Sequence, residues 1–376
     1  MSSLALKTLI HDWRRFAPAA VAVGFSGLLV LLQAGLILGV FSLASVYVSR
    51  SSADIWVGYP GVQSIDLGRP ITASTEYFLR LDPRISQVEP FYWGSGEWRT
   101  DHHGRVNVYI VGLDPRPGAM ALAEVLPESL RTRLAEPDSV LVDQADLAKL
   151  ETEVGGLAEI NGRRVRVVGV TEGLRALGGV NVVASGPTAK RLDPSVGLGG
   201  GAAYFIARLH DPRQAGAVVG DLKSAGRQRG FEVMTAQGFA DRSTLYWLAE
   251  SGAGVAFVFG SIVAVLVAAV VTSQTLAAAV AASLRDYAAL RALGFTVGAL
   301  RRIVLAQTGW IAAAGLLLAG LLTGLLVVVA KAQATPLALS APMVAAALLL
   351  VVFVALGSGL WALRRVSQAD PATLLL

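Results

Sequence analysis

SGAGVAFVFGSIVAVLVAAVVTSQTLAAAVAASL, residues 251–284, holds 34 consecutive positions without Asp, Glu, Lys or Arg. As a helix at ~1.5 Å per residue it would measure ~50 Å, against a hydrocarbon core of ~30 Å. A charge at mid-bilayer costs at least ~2.5–3.5 kcal/mol, so a void of this kind is what membrane insertion demands. Three more charge-free runs, Phe16–Ser49, Ile303–Ala330 and Ala332–Leu363, each exceed the ~20 residues a crossing helix needs. The sequence predicts four transmembrane helices.

The whole composition agrees. Of 376 residues 54% are hydrophobic and 16% charged, with a mean hydropathy of +0.57; a soluble domain carries about 25% charge. The first run is about twice a signal-peptide core of ~7–15 residues and lacks a small-residue cleavage site after it, so a retained anchor is expected. Runs one and two exceed the bilayer thickness even with tilt, and their surplus is expected to project outward as a stalk.

Charge placement predicts orientation. Between Arg50 and Glu250 there are 22 basic and 24 acidic residues, whereas ten basic and three acidic residues flank the spans. Lys7, Arg14 and Arg15 precede span one, and Arg285, Arg291, Arg301 and Arg302 lie between spans two and three. Arg364 and Arg365 follow span four, and the loop between spans three and four has only Lys331. By the positive-inside rule both termini and the Leu284–Ile303 segment are cytoplasmic. The large domain is not basic, which argues against nucleic-acid binding. Absence of cysteine excludes thiol chemistry, disulfides and cysteine metal sites.

The expected fold is an α-helical membrane protein with four transmembrane helices plus a large α+β extracytoplasmic domain inserted between helices 1 and 2. Residues 1–16 form a cytoplasmic amphipathic helix (Leu6, Leu9, Ile10, Trp13 and Phe16 near helical spacing) or a plain basic anchor. Residues 17–49 are helix 1 with its stalk, 50–250 the periplasmic domain and 251–283 helix 2 with its stalk. Residues 284–302 form a cytoplasmic coupling helix, 303–330 helix 3, 331–341 a short outer loop, 342–363 helix 4 and 364–376 a cytoplasmic tail.

Within 50–250, Arg105–Leu113 alternates as a strand, and Ser139–Val142 is a short apolar strand. Ala158–Val170 is a hairpin around Asn161-Gly162. Ala203–Leu209 and Phe231–Thr235 read as strands and Ala215–Arg229 as a helix. Turns near Pro115–Gly118 and Gly197–Gly201 leave room for two subdomains.

Sites for chemistry are scarce. Asp101-His102-His103 is an acid–histidine cluster, but neighbours on a strand face opposite ways and no third ligand follows at metal spacing, so a solvated turn is expected. Gly197–Ala202 fits G-x-G-x-x-A by letter, yet a Pro-containing loop precedes it and a strand follows, so a loop is expected. There is no P-loop, nucleophile elbow or H-E-x-x-H motif. In the spans, Gln33, Ser273, Gln274 and Thr275 are expected to hydrogen-bond between helices, with a substrate path as the alternative. Gly35-x-x-x-Gly39 and Gly320-x-x-x-Gly324 permit close helix packing.

LRDYAALRALGFTVGALRRI, residues 284–303, sets a short basic helix between two charge-free runs. Leu284, Tyr287, Leu290 and Leu293 fall at successive intervals of three, making an apolar stripe with Arg285, Asp286 and Arg291 off it. Gly294 stands where helices end in the left-handed region, and Thr296 can cap the next helix. Topology alone requires arginines but no such stripe; a helix of this kind suits a groove on a partner protein.

Asp286–Phe295 (DYAALRALGF) resembles the acid–aromatic–small–x–Leu–basic–Ala–Leu–Gly signature of MacB/FtsX-type permeases, the mechanotransmitting membrane subunits of ABC transporters. The order of one span, a large outer domain and three spans is similar, and Ala369–Leu374 resembles the Asp-Pro-x-x-x-Leu ending of such chains. DevC-type permeases, of heterocyst glycolipid export, are the nearest likeness in Leu31-Leu32-Gln33, Val165–Val170 and Asp241–Trp247. The resemblance implies a homodimer in the bacterial inner membrane that docks Leu284, Arg285, Asp286, Tyr287, Leu290, Arg291, Leu293 and Gly294 on a separate ABC-type ATPase subunit. ATP and Mg would be used by that partner, with no cofactor held and no catalysis performed by this chain. A periplasmic adaptor, an outer-membrane channel and a lipid-like or hydrophobic substrate are implied as well. An FtsX-like signalling subunit that activates an extracytoplasmic hydrolase is the alternative, and a membrane-anchored enzyme a third, for which no convergent constellation is visible.

Overall fold

The computed structural model describes residues 11–100, 104–283, 286–287, 289–290, 293–333 and 335–367. Asp101, His102, His103, Leu284, Arg285, Arg291, most of the N-terminal segment 1–16 and the tail motif Ala369–Leu374 lie outside them. The chain divides into two compact units, residues 40–255 and the remainder.

The second of these is helical. Four helices, Trp13–Ser42, Gly252–Ala282, Val297–Ala332 and Ala341–Ser367, are long and apolar enough to cross a membrane. Because lipid does not reward apolar contact between helices, small residues and polar pairs decide where they meet. A Cβ at Gly24 would lie 2.8 Å from Leu318 Cδ2, one at Gly27 2.9 Å from the Ala319 methyl, and one at Gly315 2.7 Å from Val23. These three glycines bring the first and third spans into backbone-close contact. Thr272 Oγ1 donates to Ser26 Oγ at 2.9 Å, and Ser26 Oγ to the Ala268 carbonyl at 3.1 Å, tying the first span to the second. Phe16, Val23, Leu276, Ile311 and Val351 share one buried cluster drawn from all four helices.

The inserted unit is a mixed α+β domain. The chain enters it through a 3₁₀ turn, Leu43–Ser45, and a short helical turn, Val46–Ser49, and leaves through a π-helical turn, Tyr246–Glu250. Its strands are β1 (Ile55–Gly58), β2 (Ile85–Arg99), β3 (Arg105–Leu113), β4 (Ser139–Asp143), β5 (Leu157–Ile160), β6 (Arg163–Thr171), β7 (Val180–Ser185), β8 (Tyr204–Leu209) and β9 (Glu232–Thr235). β2 organises them. Its first half, Ile85–Phe91, pairs antiparallel with β8, and β8 and β9 flank β1. Its second half, Tyr92–Arg99, pairs with β3 and, at Trp98 and Arg99, with β5. Since β3 continues through β7, β4 and β6 to β5, the pairings on this side close into a ring. The two subdomains expected from the turns thus share one strand.

Local chemistry explains the elements. The β5–β6 hairpin turns on Asn161 (φ 50°) and Gly162 (φ 76°), the two left-handed positions of a type I′ turn. Asn161 also accepts from the Glu97 N–H at 2.9 Å and donates to the Leu192 carbonyl at 3.0 Å, fastening the hairpin to its surroundings. Thr235 Oγ1 caps helix Ala236–Leu245 by accepting from Gly238 N–H at 3.1 Å, a contact worth about 1 kcal/mol. Trp56, Phe91, Tyr204 and Phe239 are fully buried, Trp56 and Tyr204 each in ring contact with the other three, with Tyr47 and Val48 of the entering turn in the same core. Burying a side chain such as Phe91 contributes on the order of 1.5–3 kcal/mol.

Candidate functional site

The segment between the second and third spans is built from two helix signals. Tyr287 N–H donates to the Ser283 carbonyl and Leu293 N–H to the Ala289 carbonyl, each at 3.1 Å, the helical i→i−4 pattern. The turn ends at Gly294, φ +92°, where Phe295 N–H reaches back to the Leu290 carbonyl at 3.1 Å. That five-residue reach around a left-handed glycine is the Schellman way of closing a helix. Thr296 then starts the third-span helix, its hydroxyl and carbonyl accepting from Ala299 N–H at 3.3 and 3.0 Å.

The apolar stripe does not face one way. Tyr287 is 4% exposed and packs with Val280, Leu300 and Val304; Leu290 is half-buried against the same cluster. The Tyr287 hydroxyl donates to Gln307 Oε1 at 2.6 Å, and burial pushes the phenol up to about 12. Leu293, by contrast, is 77% exposed, and Phe295 beside it is also exposed. The inner residues therefore hold the segment against the third-span helix while Leu293 and Phe295 remain exposed. Asp286 pairs with Arg15 of the first helix at 3.2 Å, both side chains partly exposed. Such a pair is worth about 0–1 kcal/mol.

Sequence reasoning misses Gln307 and the pairing of Asp286 with Arg15. Gln307 could have been marked as a polar residue inside a charge-free run; nothing in the spacing pairs residues 15 and 286. Among the polar groups it does mark, Gln33 Nε2 donates to Ser261 Oγ at 2.7 Å, between the first and second spans. Thr275 donates to carbonyls of its own helix, Val271 at 2.8 Å and Thr272 at 3.1 Å. The glycine pairs differ. Gly35 and Gly39 face the segment 336–339, with Ala338 N–H donating to the Gly35 carbonyl at 3.1 Å. Gly320 and Gly324 have open space where a Cβ would stand.

In the inserted unit the glycine loop carries left-handed backbone at Gly197, Gly199 and Gly200, then passes through the Ala202–Ile71 bridge into β8. It opens no helix. Among the described residues no three His, Cys, Asp or Glu side chains gather as a metal site.

No curated protein sequence matches the chain. The periplasmic region of MacB from Actinobacillus actinomycetemcomitans is 16% identical, with a TM-score of 0.33 over 50% of this chain and 90% of that one. The extracellular domain of the noncanonic ABC-type transporter YknZ from Gram-positive bacteria is 14% identical, with a TM-score of 0.35 over 49% of this chain and 100% of that one. Residues 258–371 match the family described as FtsX-like permease C-terminal. That match takes in the last three spans and the segment that joins the first two of them.

Proposed function

We propose that the chain is the membrane subunit of an ABC exporter in a bacterial inner membrane, with both termini cytoplasmic. In this reading the Asp286–Gly294 segment receives work from a separate ATPase subunit, which uses ATP and Mg. Two copies pair, and ATP-driven closure of the two ATPase subunits draws the long first and second helices together. Movement of the outer domain then drives a hydrophobic or lipid-like substrate onward through a periplasmic adaptor and an outer-membrane channel, as in DevC-type systems. The chain itself performs no catalysis.

The observation that carries the reading is the divided segment, within the FtsX-like region, between the second and third spans. Tyr287 is buried on the third-span helix and bonded to Gln307, so a push on the exposed Leu293 and Phe295 is passed to that helix. A loose connecting loop would absorb such a push as its own motion.

Affinity purification of the full chain after mild solubilisation tests this, followed by ATPase assays on the reconstituted complex. Copurification of an ABC-type ATPase whose turnover rises with an amphiphilic substrate is expected. Stimulation solely by an extracytoplasmic hydrolase would favour the signalling alternative, and absence of any ATPase would contradict both.

A further inference from the structure

We infer that the outer domain holds a binding pocket for an anionic amphiphile, with an apolar body against Tyr92 and the neighbouring prolines and an acidic group on Lys190. A cavity of about 570 Å³ opens between the end of β3, the end of helix Glu128–Leu134 and helix Gly186–Leu192. That volume lies in the range of ~300–1,000 Å³ typical of small-molecule sites. Pro90, Pro115, Pro137, Pro187, Tyr92 and Leu113 give it stiff, apolar walls.

The polar groups at this pocket divide by partner. Arg191 donates to Asp138 at 3.0 Å and to Thr188 Oγ1 at 3.1 Å, and Asp114 is paired with Arg116. Among the described residues no carboxylate pairs with Lys190. Its ammonium sits 4.5 Å from the centroid of the Tyr92 ring, a cation–π contact that leaves N–H donors unused. Among the described residues lining the cavity it is the cation without an anion.

Its place is built from several elements. The Lys190 stem runs over Gly197, where a Cβ would come 2.7 Å from Lys190 Cε. This gives the glycine loop a use other than phosphate binding: it makes room for the lysine. The Tyr92 ring in turn lies against two glycines, a Cβ at Gly186 falling 2.8 Å from the ring and one at Gly112 falling 2.9 Å from Tyr92 Cβ. Ring and ammonium are therefore positioned together, one offering an apolar face and the other a charge at its edge. Lys190 is exposed, so water solvates its ammonium while the pocket is empty; a neutral hydrophobe would displace that water without replacing its hydrogen bonds, and a small inorganic anion would leave the walls wet. An acyl carboxylate or alkyl phosphate satisfies both.

The inference names a substrate class for the exporter reading and rests on it for physiological meaning, but binding needs neither ATP nor the ATPase. Full-length protein in phosphatidylcholine nanodiscs is titrated with a dansyl-labelled undecanoate and with its methyl ester, empty nanodiscs being subtracted. Saturable binding of the acid at least tenfold tighter than the ester is expected, with competition by dodecanoate and dodecyl phosphate. Lys190→Gln keeps a polar stem over Gly197 and should erase that preference, while Lys190→Arg retains it. Ala135→Trp, at an exposed position on the wall, should block both probes. Equal binding of acid and ester, an undiminished preference in Lys190→Gln, or displacement by inorganic phosphate as readily as by dodecyl phosphate would overturn the assignment. Loss of ATPase coupling with acid binding intact would instead count against the exporter reading alone.

Discussion

Gly294→Val isolates the helix stop from everything around it. Among the described residues a Cβ at this position would meet no atom within 4 Å, so a steric clash does not set its cost. Its cost comes from the backbone: φ is +92°, and an L-residue in the left-handed region loses ~1–2 kcal/mol, with a β-branched one toward ~3 kcal/mol. If the valine relaxes instead, the Phe295–Leu290 hydrogen bond that closes the helix is given up at about 1 kcal/mol. Either route shifts the segment's end by ~1–3 kcal/mol, about 5- to 150-fold in its population. The Tyr287 anchor lies two turns earlier and is untouched. The assay is ATPase stimulation and substrate transport by the reconstituted complex, beside an insertion control and hydrogen exchange across 286–300. Gly294→Val should insert normally, exchange faster around Leu293 and lose most coupling; Gly294→Asn, which tolerates left-handed backbone, should recover much of it. Wild-type coupling in the valine variant would refute the reasoning.

Tyr287→Phe leaves the buried Gln307 oxygen without its donor and should lower thermal stability of the membrane unit by ~1–3 kcal/mol, as followed by unfolding in detergent. Gly201→Ala sets a methyl onto the Ile71 carbonyl, where the Ile71–Ala202 bridge allows little retreat. A loss of ~1–3 kcal/mol or more in the tryptophan-monitored unfolding of the outer domain is expected. Glu89 has its carboxyl raised above the ordinary 4.5 by burial, against the Met120 N–H bonds that oppose the shift. Its contribution is therefore fully present below pH ~4.5 and lost as pH rises through the raised value. Wild type should thus lose stability relative to Glu89→Gln across that rise, and a constant difference from pH 4 to 8 would contradict it.

The membrane helices were legible because a charge-free run has a single physical use at this length. Strands β3, β4, β8 and β9, the Asn161-Gly162 hairpin and helix Ala215–Arg229 also follow from alternation, turn chemistry and the glycine after the helix. β2 does not. Its sequence ISQVEPFYWGSGEWR contains a proline and two glycines that ordinarily break a strand. Pro90 is tolerated where β2 pairs with β8 alone, and Gly94 and Gly96 make way for Asp193, Val196 and Asn161. Those reasons are tertiary and invisible along the chain. β1 and β7 are short and buried throughout, so they carry no alternation. At the candidate site the helix, its glycine stop and its threonine cap were legible, but the direction of the stripe was not. Whether Tyr287 faces a partner or the next span depends on Gln307, twenty residues away.

Labelling of a single cysteine at position 293 tests the central claim most directly, since the chain has none of its own. Leu293→Cys in sealed inverted and right-side-out vesicles should react with an impermeant maleimide only from the cytoplasmic side, and lose that reactivity when the ATPase subunit is bound. Reaction from the outer side, or labelling indifferent to a stably associated ATPase, would contradict the account.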